Sequence, residues 1–158
     1  MAKDRPDDQA DIFTDGSCHT KLRVGGWAAV IFWADTKTLL CESQKDTTHN
    51  RMELTAVIRS LEHLRVNQPQ IRRVTIYSDS QYVTGLPSRR QKLSAGNFYS
   101  KNAEQIPNAD LLGTLFTLID LWEITWVKVR AHQKRTNQAN FNIEADKSSR
   151  KAMRDALR

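Results

Sequence analysis

The spacing of hydrophobic residues in the first third of the chain predicts three β-strands. Residues 11–15 form a short apolar stretch that stops at Gly16, and residues 25–34 hold a dense run of large apolar side chains. A third stretch, residues 38–45, follows the second after only Asp35, Thr36 and one further residue. Because these connections are short, the three strands are expected to form an antiparallel meander.

After residue 50 the hydrophobic period changes from that of a strand to that of a helix. Apolar residues recur at steps of three and four over residues 50–66, which predicts an amphipathic helix. Residues 72–78 alternate, with Val74 and Ile76 on one face, and predict a fourth strand. The remaining elements are a helix over 108–121, a strand over 123–130 and a helix over 143–157. This order predicts an α/β fold, and a right-handed crossover would place the fourth strand beside the first.

Composition predicts one globular domain without disulfides. The chain has 158 residues, only two cysteines and a formal net charge of +6. We expect a polar tail over residues 1–10, one domain over 11–158, a monomer and a cytoplasmic location with no membrane segment. The positive charge favours a polyanionic partner, although a solvated basic surface would give the same composition.

Four acidic residues are the candidate chemistry: Asp15 in FTDGSC, Glu53 in NRMEL, Asp79 in YSDSQYV and Asp146 in IEAD. Each has a purely structural interpretation. Asp15 could form an Asx-turn, Glu53 a capping box with Asn50, and Asp79 with the next serine a cap of a short helix. Asp146 could favour the dipole of the last helix.

The predicted topology brings the four acids together. Asp15 and Asp79 end adjacent strands, while Glu53 and Asp146 are expected in the first turns of helices. Four carboxylates converging without a cation would repel one another and become protonated. Ligation by oxygen alone favours magnesium or manganese over zinc.

The frames around these acids resemble the type 1 ribonuclease H family. FTDGSC, TTHNRMEL, YSDSQYV and WVKVRAH with NIEAD occur in the family's order, across roughly residues 10–155. The resemblance implies a ribonuclease H-like fold with a five-stranded mixed sheet, in the order 3-2-1-4-5, flanked by helices. It also implies that Asp15, Glu53, Asp79 and Asp146 bind two Mg²⁺ ions, for which Mn²⁺ can substitute, with Asp15 bridging them.

The activity implied by the resemblance is endonucleolytic hydrolysis of the RNA strand of an RNA/DNA hybrid, leaving 3′-hydroxyl and 5′-phosphate ends. His132 matches the family histidine that assists proton transfer or product departure, and a flexible loop is expected over 133–140. Contacts with the hybrid are expected from Gly16, Ser17, Thr48, His49, Asn50, Gln81, Arg89, Arg90 and Lys92.

The sequence also departs from the family pattern. Where the last helix of the family often reads Asp-x-Leu-Ala, this chain has Ser148 and Ser149 after Asp146 and Lys147. We expect this hydroxyl to lower stability rather than to affect chemistry. Two alternatives stay open: another two-metal nuclease of the same fold, such as a junction resolvase or an integrase-like enzyme, and a non-catalytic nucleic-acid-binding domain.

Overall fold

Five strands and five helices follow one another in the computed structural model, which describes residues 6–100, 104–130 and 137–158, with side chains from residue 141 onward in the last segment. The strands are β1 (Gln9–His19), β2 (Val24–Trp33), β3 (Thr36–Gln44), β4 (Arg73–Ser78) and β5 (Glu123–Lys128). The helices are α1 (His49–Asn67), α2 (Gln81–Thr84), α3 (Leu86–Ala95), α4 (Ala109–Ile119) and α5 (Asn137–Ala156).

The strands form one mixed sheet in the order β3-β2-β1-β4-β5, which confirms the predicted order. Strand β1 pairs antiparallel with β2 and parallel with β4, and β5 continues the parallel half. The parallel ladder between β1 and β4 ends where Thr14 lies opposite Ser78. The residues that follow this pair, Asp15 and Asp79, therefore lie side by side at the same edge of the sheet.

Strand β1 is longer than the sequence indicated. The prediction that it stops at Gly16 is wrong, because β2 pairs with it as far as His19 and Gly16 lies opposite Trp27. Its start at Gln9 also reaches into the predicted tail, where the backbone carbonyl of Asp8 accepts from Arg72 and Arg73. Glycine at residue 16 is thus part of an extended strand and not a turn.

Two helices begin earlier than predicted. Helix α1 begins at His49, because the Thr48 hydroxyl caps it by accepting from the backbone N–H of Arg51 at 3.2 Å. Helix α5 begins at Asn137, so that residues 137–140, expected in a loop, are helical. The four polar or small residues there carry no hydrophobic period, which is why the pattern gave no sign of this extra turn.

The sheet separates two hydrophobic layers. Helices α1 and α4 cover one face, where Ile12, Ile76 and Leu54 belong to the larger cluster of buried side chains. Helix α5 covers the other face, where Phe13 stacks on Tyr77 with ring centroids 4.3 Å apart. No helix in the described segments is both long and apolar enough to cross a membrane.

Candidate metal centre

Three acidic side chains meet at the edge of the sheet where the ladder between β1 and β4 ends. Asp15 follows Thr14 on β1, Asp79 directly follows β4, and Glu53 is the fifth residue of α1, which packs against β1. One carboxylate oxygen from each of these three residues lies within 4.8 Å of the other two. The geometry therefore brings together three of the four acids whose convergence the topology predicted.

None of the structural interpretations weighed for these acids accounts for them. Asp15 lies within β1, opposite Ala28, and not in a turn. The first turns of α1 and α5 hold no acidic residue, so Glu53 and Asp146 were wrongly placed there. Ser80, rather than Asp79, caps α2, since its hydroxyl accepts from the backbone of Val83. The acids are thus free of the capping roles that would have explained them.

Two of the three carboxyl groups are almost completely removed from water. Asp15 is 4% exposed and Glu53 is 1% exposed. Burial, together with the neighbouring charges of Glu53 and Asp79, raises the pKa of Asp15 to about 9. Burial likewise raises the pKa of Glu53. Without a cation, this cluster would hold at least one proton at neutral pH, whereas a bound cation would favour the fully ionised form.

The two oxygens of the Glu53 carboxylate differ in their hydrogen bonding. His49 Nε2 lies 3.3 Å from Glu53 Oε1, and this hydrogen bond raises the pKa of His49. The Gly16 backbone also donates a hydrogen bond to the Glu53 carboxylate. Glu53 Oε2, in contrast, is buried with no hydrogen-bond partner among the described residues. A buried carboxylate oxygen is costly to leave unpaired, so this orphaned acceptor and its oxygen neighbours fit a hard divalent cation.

Asp146 approaches the cluster from α5, as the tenth residue of that helix. It is outside the group of three oxygens described above, and its Oδ1 accepts from Arg150 Nε at 2.9 Å. That hydrogen bond, with added attraction from Asp15 and Asp79, raises the pKa of Arg150. The guanidinium group thus places a positive charge near the acids, where it offsets part of their repulsion.

Ser149 contacts the cluster directly, which the sequence analysis missed. Its hydroxyl is fully buried and lies 2.9 Å from Asp15 Oδ2, within donating distance of the carboxylate. The sequence pattern predicted an effect of this hydroxyl on stability alone and gave no indication of its contact with Asp15. Its position in sequence, three residues after Asp146 and on the same face of a helix, is the signal that could have found it.

Two glycines let the helices approach the sheet closely enough to build this site. A Cβ atom on Gly16 would lie 2.5 Å from the backbone nitrogen of Glu53, at the contact between β1 and α1. A Cβ atom on Gly26 would lie 2.2 Å from the backbone oxygen of Ser149, at the contact between β2 and α5. Any side chain at either position would push a helix, and with it an acidic residue, away from Asp15.

Comparison with known proteins identifies the family. A sequence model of the family described as RNase H matches residues 7–154 of the chain. The chain belongs to the ribonuclease H family. A ribonuclease H from Ehrlichia chaffeensis is 38% identical over 122 residues, which cover 77% of this chain and 81% of that protein.

Solved ribonuclease H structures share the fold. The crystal structure of LC9-RNase H1, a type 1 RNase H with the type 2 active-site motif, superimposes with a TM-score of 0.78 and 21% identity. The match covers 96% of this chain and 75% of that one. LC11-RNase H1, in a crystal structure with an RNA/DNA hybrid, gives a TM-score of 0.70 and 18% identity over 94% of this chain and 99% of that one.

The substrate contacts expected from the ribonuclease H resemblance fall into two groups. Those near the acids are Gly16 and Ser17 on β1, Thr48, His49 and Asn50 at the start of α1, and Gln81 at the start of α2. The four residues at the helix starts are exposed, whereas Gly16 is buried and Ser17 is half-buried. Arg89, Arg90 and Lys92 lie apart from these on α3.

The arginines of α3 differ in how they are held. Arg90 forms a bidentate pair with Asp120, at 2.6 and 2.8 Å, and also donates to the backbone oxygen of Phe116. Arg89 is exposed and lies over the ring of Tyr82. A guanidinium group that already pairs with a carboxylate is less available to bind a phosphate, so Arg89 and Lys92 are the better candidates for contact with a nucleic-acid strand.

The remaining predicted catalytic residue of the ribonuclease H family pattern, His132, lies outside the described residues. The same holds for residues 133–136 of the expected loop, whereas residues 137–140 begin α5.

Proposed function

We propose that this ribonuclease H family member is an endonuclease that hydrolyses the RNA strand of RNA/DNA hybrids, leaving 3′-hydroxyl and 5′-phosphate ends. The observation that carries the proposal is the convergence of Asp15, Glu53 and Asp79, with a buried and unpaired oxygen on Glu53. Such an arrangement is unfavourable in a protein that only binds nucleic acid, because without a bound cation the repulsion of the carboxylates is offset only in part.

The residues proposed to hold two divalent cations are Asp15, Glu53, Asp79 and Asp146. We assign Asp15 the bridging position, because, in addition to its burial, the charges of Glu53, Asp79 and Asp146 all act to raise its pKa. Ions bound there would neutralise charge on the attacking water and on the leaving oxygen of the phosphodiester. Ligation by oxygen alone supports Mg²⁺ as the ion, with Mn²⁺ as a substitute.

The surrounding residues are proposed to orient the substrate. His49 holds one oxygen of Glu53, which leaves the orphaned oxygen of the same carboxylate to face a cation. Asn50 and Gln81 lie in the first turns of helices beside the acids and are exposed, so they are placed to contact sugars of the hybrid. Recognition through 2′-hydroxyl groups and groove shape, rather than base edges, would make the enzyme selective for the hybrid and tolerant of sequence.

A crystal structure of a protein of the same fold in complex with an RNA/DNA hybrid supports this substrate. The net charge of +6 also supports a polyanionic partner. We further propose that the domain predicted over residues 11–158, which β1 extends to Gln9, acts as one catalytic domain and as a monomer, and that the enzyme is cytoplasmic.

The experiment that tests the proposal compares four labelled substrates: an RNA/DNA hybrid, duplex DNA, duplex RNA and a four-way junction. Each is incubated with the wild-type protein in Mg²⁺ and in EDTA, and the products are resolved at single-nucleotide length. Cleavage of the RNA strand of the hybrid alone, in Mg²⁺ alone, is the expected result. Cleavage of the junction would instead favour a resolvase, and binding without cleavage would favour a silent domain.

A further inference from the structure

The hydroxyl of Ser149 is placed against the acid that we assign the bridging position. The residue is on α5 and has no exposed surface. Its Oγ lies 2.9 Å from Asp15 Oδ2 and 3.0 Å from the backbone oxygen of Asp146. One acceptor belongs to the cluster and the other to Asp146, which approaches the cluster, so the hydroxyl links the strand that carries Asp15 to the helix that carries Asp146.

A serine hydroxyl has one proton to donate, and its two acceptors differ in strength. An ionised carboxylate accepts a shorter and stronger hydrogen bond than a backbone carbonyl does. With a cation bound, Asp15 is ionised, and the proton of Ser149 is then directed to Oδ2. This bond fixes the rotation of the carboxylate about its Cβ–Cγ bond, which determines where its other lone pairs point.

The position of the hydroxyl is itself fixed by the packing of α5. A Cβ atom on Gly26 of β2 would lie 2.2 Å from the backbone oxygen of Ser149, so α5 packs directly against the backbone of the strand at this point. The helix therefore has little room to move relative to the sheet, and the hydroxyl cannot follow a displaced carboxylate. Groups that orient a metal ligand from behind in this way contribute substantially to metal affinity.

We propose that Ser149 is a positioning residue that orients the Asp15 carboxylate for cation binding. This inference rests on the proposed cation site. It assigns a function to the hydroxyl that stands where the family pattern often has alanine.

The test measures cation binding without substrate. Apo protein is titrated with Mn²⁺ by isothermal calorimetry, and bound Mn²⁺ is counted independently by electron paramagnetic resonance. Ser149→Ala removes the hydroxyl with little change in volume, and Ser149→Gly removes it a second way. Ser148→Ala is the matched control, because it makes the same change one residue away in the same helix. Thermal melting in EDTA shows that each variant is folded at the temperature of the titration.

We expect both Ser149 variants to bind Mn²⁺ about 10-fold more weakly than the wild type, within the range of about 10- to 100-fold known for groups that orient ligands. Ser148→Ala should match the wild type. Affinities equal to wild type in folded Ser149→Ala would overturn the positioning role and leave the cation site intact. A wild-type protein that binds no Mn²⁺ would instead overturn the proposed site itself, and this inference with it.

Discussion

Replacing Asp15 by asparagine should change how the stability of the cation-free protein depends on pH. The structure raises the pKa of Asp15 from 3.8 to about 9, through burial and then through the charges of Glu53 and Asp79. Between these two values the folded protein holds a proton that the unfolded chain has released. The free energy of unfolding therefore falls as the pH rises through this window, whereas a salt-bridged aspartate usually makes it rise.

The size of the effect follows from proton linkage. One proton bound by the folded state and not by the unfolded state lowers the free energy of unfolding by about 1.4 kcal/mol for each pH unit. From pH 5 to pH 8, a single such proton accounts for a loss of about 4 kcal/mol. The neighbouring acids share this proton, so the loss belongs to the cluster and sets an upper limit for Asp15 alone.

Urea denaturation in EDTA, followed by circular dichroism at several pH values from 5 to 8, provides the measurement. The wild type should lose stability steadily over this range. Asp15→Asn should have a much shallower slope and should be more stable than the wild type at pH 8. Excess Mg²⁺ should remove most of the wild-type slope, because cation binding favours the ionised cluster. Parallel slopes for the two proteins in EDTA would refute the reasoning.

Three further predictions address the packing of α5 on the sheet, the arginines of α3 and His132. Gly26→Ala should force α5 away from the sheet, lowering the free energy of unfolding by about 1–3 kcal/mol and weakening Mn²⁺ binding in calorimetry. A Cβ atom at Gly113 would meet no described atom within 4 Å apart from the nearby backbone of its own helix. Gly113→Ala should therefore be neutral or stabilising, and a similar loss of stability in both variants would contradict a role of Gly26 in packing. Arg89→Ala should reduce the slope of log KM against log salt by about one. The guanidinium of Arg90 is paired with an aspartate in the wild type. Arg90→Ala should therefore leave that slope unchanged and lower the free energy of unfolding by at most about 1 kcal/mol. The reverse assignment of these two effects would exclude Arg89 from the binding face. His132→Ala should slow hybrid cleavage in a single-turnover assay without abolishing it, and an undiminished rate would remove the histidine from the mechanism.

The sheet order and the meeting of the acids could be predicted from the sequence because both depend on general rules. A crossover between parallel strands is right-handed, and this places the ends of β1 and β4 side by side. Asp15 and Asp79 directly follow the last pair of that ladder, as expected. The helical period around Leu54 also located α1, and so Glu53, to within one residue at its start.

Other features depend on packing that one sequence does not reveal. Polar residues begin α5 without any hydrophobic period, so its first turns were mistaken for a loop and Asp146 for an N-terminal residue. Contact between Ser149 and Asp15 requires α5 to lie against β2, which in turn depends on the missing side chain of Gly26. The pairing of Arg90 with Asp120 joins residues 30 positions apart, and no local pattern marks it.

An assay of labelled RNA/DNA hybrid cleavage by the Asp79→Asn variant is the sharpest test of the proposed metal centre. Asparagine keeps the shape of Asp79 but removes one of the three converging charges. Hybrid binding is measured alongside by fluorescence anisotropy, so that loss of turnover can be separated from loss of affinity. We expect the variant to bind the hybrid as well as the wild type does in Mg²⁺, yet to leave the RNA strand intact. Cleavage at the wild-type rate would contradict the assignment of these acids to a catalytic metal centre.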